Sequence, residues 1–179
     1  FTGSTATGRK VAQRAASRLI GCSLELGGKN PLIVLPEANL KRAAEIVLAG
    51  AFGSAGQLCV SIERVYVAKQ DKDAFLAELA KETNSLKVGK SNDFTVDIGT
   101  LTGYNQFQRV MGFVQDAINT GATVVAGGRA LNEIGPYFYA PTVLTNVNPN
   151  ARLYAQEVFG PVIDVESYET IDEAIELAN

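Results

Sequence analysis

The chain has no histidine and no tryptophan, and its 179 residues include only two cysteines, Cys22 and Cys59, and one methionine, Met111. Without histidine, neither a Ser-His-Asp nor a Cys-His arrangement can operate within this sequence, and no histidine-ligated metal site can form. Two cysteines are too few for an all-cysteine zinc site or a disulfide framework. No apolar run approaches the ~18 residues of a membrane span. The opening Phe1-Thr2-Gly3-Ser4-Thr5-Ala6-Thr7-Gly8-Arg9-Lys10 has no apolar stretch of the signal-peptide kind. Strong basic charge is missing as well: 16 Lys and Arg stand against 19 Asp and Glu, and the cations are dispersed. A nucleic-acid or anionic-membrane partner requires a basic stripe, so neither is expected. Free thiols without a disulfide pattern fit a reducing compartment, and the expected location is cytoplasmic.

What is present suits an ordinary core. Hydrophobic residues make up 46% of the chain, and a chain of this length buries roughly 70% of its extended surface without metal or disulfide. At ~100–200 residues per domain, the length corresponds to one domain, or one and a piece. The sole methionine is internal, and the last residues, Glu-Leu-Ala-Asn, continue a helical pattern. The sequence therefore reads as a segment of something longer.

Strand-like and helix-like stretches alternate. After the Gly3–Gly8 turn, Ser4 or Thr5 caps a helix through about Leu19, with Val11, Ala12, Ala15, Ala16 and Leu19 at helical spacing. Cys22–Leu26 reads as a short strand, Gly27-Gly28 breaks it, and Pro31–Leu35 is an apolar run of buried-strand type. Asn39 caps a helix carrying Leu40, Ala43, Ala44, Val47, Leu48, Ala51 and Phe52 on one face, and Gly53–Gln57 forms the loop that delivers Cys59. Arg64–Ala68 is a β-branched strand, and Asp71 opens a helix with Phe75, Leu76 and Leu79 inward. The polar stretch Lys87–Gly103 precedes a helix near Gln106–Thr120. Ala122–Ala126 and Val162–Tyr168 are strands, Tyr137–Leu144 is extended with Pro141 pointing to an edge or a bulge, and Thr170–Glu173 is a capping box. This alternation predicts an α/β fold with a mostly parallel sheet covered by helices.

Four short segments could carry chemistry. Thr2–Gly8 enters a helix, whose free N–H groups and positive dipole end suit a phosphate. A P-loop is excluded there, because Arg9 and Lys10 stand where its lysine and hydroxyl residue belong. Glu25 lies between Leu24 and Leu26 before Gly27-Gly28. Burial there would raise its pKa toward general-base use, whereas a solvent-facing strand position would leave it an ordinary surface charge. Cys59 sits in a polar, glycine-containing loop, while Cys22 at the start of an apolar strand reads as the core cysteine. A nucleophilic cysteine without histidine needs main-chain dipoles, a cation, a cofactor's positive ring or a carboxylate base. Finally, Glu157-Val158-Phe159-Gly160-Pro161 reads either as a turn with a solvated Glu and a core Phe, or as a ribose-binding carboxylate beside an aromatic ring.

Taken in order, Phe1-Thr2-Gly3-Ser4 with Gly8, Glu25-Leu26-Gly27-Gly28-Lys29, Gly56-Gln57-Leu58-Cys59 and Glu157-Val158-Phe159-Gly160-Pro161 resemble the NAD(P)-dependent aldehyde dehydrogenase family. The separations are family-like, 34 residues from Glu25 to Cys59 and 98 from Cys59 to Glu157, and similarity extends through Gly127-Gly128 and Tyr139–Leu144. Cys59–Val67 and Lys29-Asn30-Pro31 are similar to bacterial succinate-semialdehyde dehydrogenases.

The resemblance implies that Cys59 attacks an aldehyde carbonyl and that Glu25 activates water against the resulting thioester. It implies that Gly3, Ser4, Leu26, Gly27, Glu157 and Phe159 contact the cofactor, NAD or NADP, and that the parent protein is a homo-oligomer acting on a small-molecule aldehyde. Residues 1–26 then correspond to the C-terminal tail of a cofactor-binding domain. Residues 27–179 correspond to most of an aldehyde-dehydrogenase-like catalytic domain, incomplete at its C-terminal end. The isolated segment is expected to bind cofactor poorly and turn over little. Acylating relatives pass the thioester to coenzyme A and need no deacylating base, so Glu25 favours hydrolysis. A non-catalytic domain with Cys59 in its core is the remaining alternative. Acidic substrates need a cation; Arg64 is near Cys59 in sequence, but a solvent-facing strand position is its simpler assignment.

Overall fold

The computed structural model describes all 179 residues. Helices and strands alternate as β1 (Thr2–Gly3), α1 (Thr5–Ala16), β2 (Glu25–Leu26), β3 (Asn30–Val34), α2 (Leu40–Phe52), β4 (Ile62–Ala68), α3 (Lys72–Ser85), α4 (Tyr104–Asn119), β5 (Thr123–Ala126), β6 (Thr142–Thr145), α5 (Arg152–Ala155), β7 (Val162–Tyr168) and α6 (Ile171–Ala178). β1 and β2 pair in parallel as a separate two-stranded sheet, and the other five strands form one sheet in the order β3-β4-β7-β6-β5. Three of its four pairings are parallel, and only β5 runs antiparallel, against β6. The expected α/β architecture with a mostly parallel sheet is therefore the one observed.

Side-chain alternation along β4 explains how the sheet is covered. Val65 and Val67 join the main core with Val47 and Phe52 of α2, Phe75 and Leu79 of α3, and Val110 and Val114 of α4. Tyr66 and Ala68 point the other way and meet Tyr168 of β7 and Ala174 of α6. Burial on both faces is the signature of a central parallel strand, and a buried valine such as Val65 or Val67 contributes roughly 1.5–3 kcal/mol of transfer free energy. The Tyr168 hydroxyl donates to the Val34 carbonyl at 2.8 Å, which satisfies the one polar atom buried with that ring.

Local caps follow the sequence. Ser4 accepts from the Thr7 N–H at 3.4 Å, Asn39 from the Arg42 N–H at 2.9 Å, and Thr170 from the Glu173 N–H at 3.2 Å. The capping box at α6 closes one residue early, because the Glu173 carboxylate accepts from the Glu169 N–H rather than from that of Thr170.

Several expectations need correction. Helix α1 stops at Ala16, and Leu19 is almost wholly exposed with φ 56°, so the helical spacing of Leu19 reflects no packing. The strand before Gly27 is only Glu25–Leu26; Cys22 lies outside it and is exposed, so it is not the core cysteine. Glu25 is exposed rather than buried between its leucine neighbours. Pro141 marks no edge: it precedes β6, an interior strand between β7 and β5 whose four residues are all buried. Pro141 therefore removes no rung from the ladder. Arg64 is not a solvent-facing charge either. It is half-buried, donating from Nε to the Lys29 carbonyl at 2.8 Å and from its terminal nitrogens to the Leu177 and Ala178 carbonyls at 3.0 and 2.9 Å. Those are the last carbonyls of α6, which a cation at a helix C-terminus satisfies.

Candidate active site

Strands β3, β4 and β7 are adjacent and parallel, so the segments that lead into them emerge at the same end of the sheet. Those segments are Gly27–Lys29, Gln57–Ser61 and Glu157–Pro161. Parallel pairing thereby joins motifs far apart in sequence, and it does so at the amino ends of the strands. Ligands of open α/β sheets ordinarily bind at the carboxyl ends. The small β1–β2 sheet adds Gly3, Ser4, Glu25 and Leu26 to the same place. All eight residues singled out from the sequence (Gly3, Ser4, Glu25, Leu26, Gly27, Cys59, Glu157 and Phe159) line one cavity of about 500 Å³.

The loop carrying Cys59 is held in an unusual backbone shape. After α2 the chain makes a 3₁₀ turn, Gly53–Gly56, in which Ser54 (φ 53°) and Ala55 (φ 55°) are left-handed and Gly56 follows at φ 69°. Left-handed non-glycine residues cost roughly 1–2 kcal/mol each, so other contacts must enforce them. One is steric: a Cβ on Gly56 would stand 2.1 Å from the Gly160 carbonyl oxygen, which brings this loop against the Glu157–Gly160 segment. Another is polar: Asn30 Nδ2 donates to the carbonyls of Cys59 at 2.8 Å and Ser61 at 2.9 Å. Gln57 is fixed through its side-chain oxygen, which accepts the Thr102 N–H at 2.9 Å. Cys59 itself is exposed to the cavity, so it is not a core residue, and its backbone N–H makes no hydrogen bond within the protein.

Glu157 lines the same cavity, half-buried, with Oε1 accepting the Gly28 N–H at 3.3 Å. Burial pushes its carboxyl above the ordinary value and the charge of Glu63 adds to this, while the Gly28 N–H, Arg109 and Lys29 pull it down. Phe159 is left-handed at φ 57° and half-buried at the cavity wall, so it is not a core Phe. Arg109 of α4 is the one cation lining the cavity, and it donates to the Glu157 carbonyl at 2.7 Å. Gln106, one turn earlier, donates to the Val158 and Phe159 carbonyls at 3.1 and 2.6 Å.

Behind the cavity lies a buried ion pair, Lys29 Nζ to Glu63 Oε2 at 2.7 Å. Burial pushes the Lys29 ammonium below its ordinary value, Glu63 and Asp164 oppose this, and Arg64 adds to it. The Glu63 carboxylate also accepts the N–H groups of Val158 and Phe159 at 3.0 Å.

Sequence reasoning missed Asn30, Glu63, Gln106 and Arg109. A signal existed for Glu63, a carboxylate at the start of an otherwise apolar strand, a position that demands a partner. Gln106 and Arg109 are three residues apart on α4 and share a face, but nothing in their spacing told which neighbour that face would meet.

The cavity suits a nicotinamide cofactor in part. The N-terminus of the 12-residue helix α1, with no acidic residue in its first turn, offers N–H groups to a phosphate. Glu157 offers a hydroxyl-accepting carboxylate, and Leu26 and Phe159 offer apolar walls.

The profile described as "Aldehyde dehydrogenase family" matches residues 1–179. A protein of Mycobacterium tuberculosis strain H37Rv, provisionally named succinate-semialdehyde dehydrogenase, NADP(+), 2, is 49% identical over all 179 residues, which cover 35% of its length. The mitochondrial aldehyde dehydrogenase of Leishmania tarentolae is 41% identical over 180 aligned positions, spanning 36% of its length. The NAD+ complex of aldehyde dehydrogenase from Bacillus cereus superposes with a TM-score of 0.94 at 36% identity, covering 100% of this chain and 36% of that one. The chain thus spans about a third of the length of the proteins it matches. Over that span, the chain belongs to the aldehyde dehydrogenase family.

Proposed function

We propose that the protein carrying this chain oxidises an aldehyde to its carboxylic acid with NAD or NADP, using Cys59 as nucleophile and Glu25 as base. The observation that carries this reading is the meeting of an exposed Cys59 thiol, its unpaired N–H, Glu25 and Glu157 in one cavity. Residues 1–26 belong, on this reading, to the end of a cofactor-binding domain, and 27–179 to most of a catalytic domain.

The chemistry follows from the groups present. The Cys59 sulfur forms a bond to the aldehyde carbon, and the thiol proton passes to Glu25. The carbonyl oxygen becomes an alkoxide, to which the free Cys59 N–H donates, and such stabilisation is worth roughly 3–4 kcal/mol where one oxyanion donor is removed. A bound nicotinamide ring supplies the acceptor for the hydride that this tetrahedral alkoxide releases, leaving a thioester on Cys59. Glu25 returns the thiol proton to solvent and, ionised again, takes a proton from the attacking water, whose oxygen bonds to the acyl carbon as the carbon–sulfur bond breaks. Acid and free thiolate result. Gly3, Ser4 and the start of α1 would hold the cofactor phosphate, Glu157 its ribose, and Leu26, Gly27 and Phe159 the ring. Water, rather than coenzyme A, is the acceptor favoured by a carboxylate at Glu25.

The names of the mycobacterial relatives support succinate semialdehyde as substrate and NADP as cofactor. The test is NAD(P)H formation by the full-length protein with succinate semialdehyde and either cofactor, beside Cys59→Ala. Turnover abolished in Cys59→Ala supports the reading. Turnover equal to wild type in that variant overturns it.

A further inference from the structure

One buried carboxylate joins the three segments that meet at the cavity. Glu63 is four residues after Cys59, at the start of β4, and is 3% exposed. Its oxygens take the Lys29 ammonium at 2.7 Å, the Val158 N–H at 3.0 Å and the Phe159 N–H at 3.0 Å. Lys29 directly follows Gly28, whose own N–H donates to Glu157. Val158 and Phe159 directly follow Glu157. No strand partner holds that segment. Side chains hold its backbone instead, Glu63 taking two N–H groups and Gln106 and Arg109 donating to three carbonyls. Phe159 keeps a left-handed backbone that local preference opposes, so the grip on its N–H is a geometric constraint.

We propose that Glu63, paired with Lys29, is a positioning residue that fixes the Glu157–Phe159 segment over the cavity and thereby sets cofactor affinity. The affinity part rests on the reading that Glu157 and Phe159 face a nicotinamide cofactor; the positioning part does not. A carboxylate is required because three donors, one of them cationic, converge on two oxygens. Glutamine offers a single acceptor oxygen and turns an N–H₂ toward other donors.

The test uses full-length Glu63→Gln with two readouts. The first is the KM for the nicotinamide cofactor against the KM for aldehyde and the rate of Cys59 alkylation without cofactor. The proposal expects cofactor KM to rise about tenfold, the value of one charge-assisted hydrogen bond, with the other two within about twofold. A uniform loss of active enzyme with unchanged KM values marks a merely structural residue and overturns it. The second readout is amide hydrogen exchange at residues 157–160. Acceleration of at least tenfold confined to that segment supports positioning, and exchange equal to wild type overturns it. If the wild-type protein binds no nicotinamide cofactor, the functional reading fails, and exchange alone still decides whether Glu63 positions the segment. Lys29→Met covers the case of a Glu63→Gln protein that does not fold, with the same changes expected at smaller size; wild-type values in both readouts overturn the proposal.

Discussion

The Glu157 carboxylate occupies the space a side chain at position 27 would need: a Cβ built on Gly27 lies 2.1 Å from both of its oxygens. The Gly28 N–H then reaches Oε1 at 3.3 Å, so the missing side chain at Gly27 is what lets the carboxylate settle between two distant segments. The obstacle is the end of a flexible side chain, so a substitution moves Glu157 rather than the backbone. Gly27→Ala is expected to leave the thermal midpoint nearly unchanged and to raise the KM for nicotinamide cofactor about tenfold, the loss of one hydrogen bond to a charged group. Steady-state kinetics beside a melting curve separate the two effects.

Gly56 presents the opposite case. Its Cβ would meet the backbone of Gly160 and Pro161, and its φ of 69° is unfavourable for any side chain. Neither obstacle can rotate away. Gly56→Ala is expected to destabilise the protein by about 2–4 kcal/mol, read as a lower denaturation midpoint, and to dislodge the Cys59 loop.

Arg64 is committed to the Lys29 carbonyl and to the end of α6, and it does not line the cavity. Arg64→Ala should therefore cost about 1–3 kcal/mol of stability by leaving those carbonyls without their charged donor. The KM ratio between an acidic and a neutral aldehyde should stay unchanged. A selective rise in KM for the acidic substrate would instead make Arg64 its cation.

Asp164 predicts a pH dependence. It is buried on β7 with Oδ1 unpartnered. Burial, with help from the charge of Glu166, pushes its carboxyl up to about 8 from an ordinary 3.8, against the pull of Lys29 and Lys72. The folded state thus keeps a proton that the unfolded chain releases above about pH 4. Stability from this group is full below that pH and is lost as pH rises through about 8. Asp164→Asn should remove that decline, gaining on wild type in urea denaturation as pH increases from 4 to 8. Parallel curves for the two proteins would contradict this.

What the sequence revealed and concealed divides along physical lines. Strand and helix order, the caps at Ser4, Asn39 and Thr170, and the loop delivering Cys59 are local features, written in periodicity and in glycine placement. The eight cavity residues were legible because their motifs are short and hold together around fixed glycines. Glu63, Asn30 and Arg64 were not, because each serves a partner at least 29 residues away, and a charge on a strand looks solvent-facing until the neighbouring strand is known. Cys22 misled for the same reason: an apolar neighbourhood in sequence became an exposed connection when the strand shortened to two residues.

The central claim is that Cys59 captures the aldehyde carbon covalently and that Glu25 releases it. The most direct measurement is rapid-quench mass spectrometry of full-length Glu25→Gln mixed with succinate semialdehyde and nicotinamide cofactor, recorded beside NAD(P)H absorbance. The account predicts a burst of NAD(P)H stoichiometric with active sites, followed by slow turnover, with an acyl adduct mapped to Cys59. Steady turnover at the wild-type rate, with no burst and no adduct on Cys59, would contradict it.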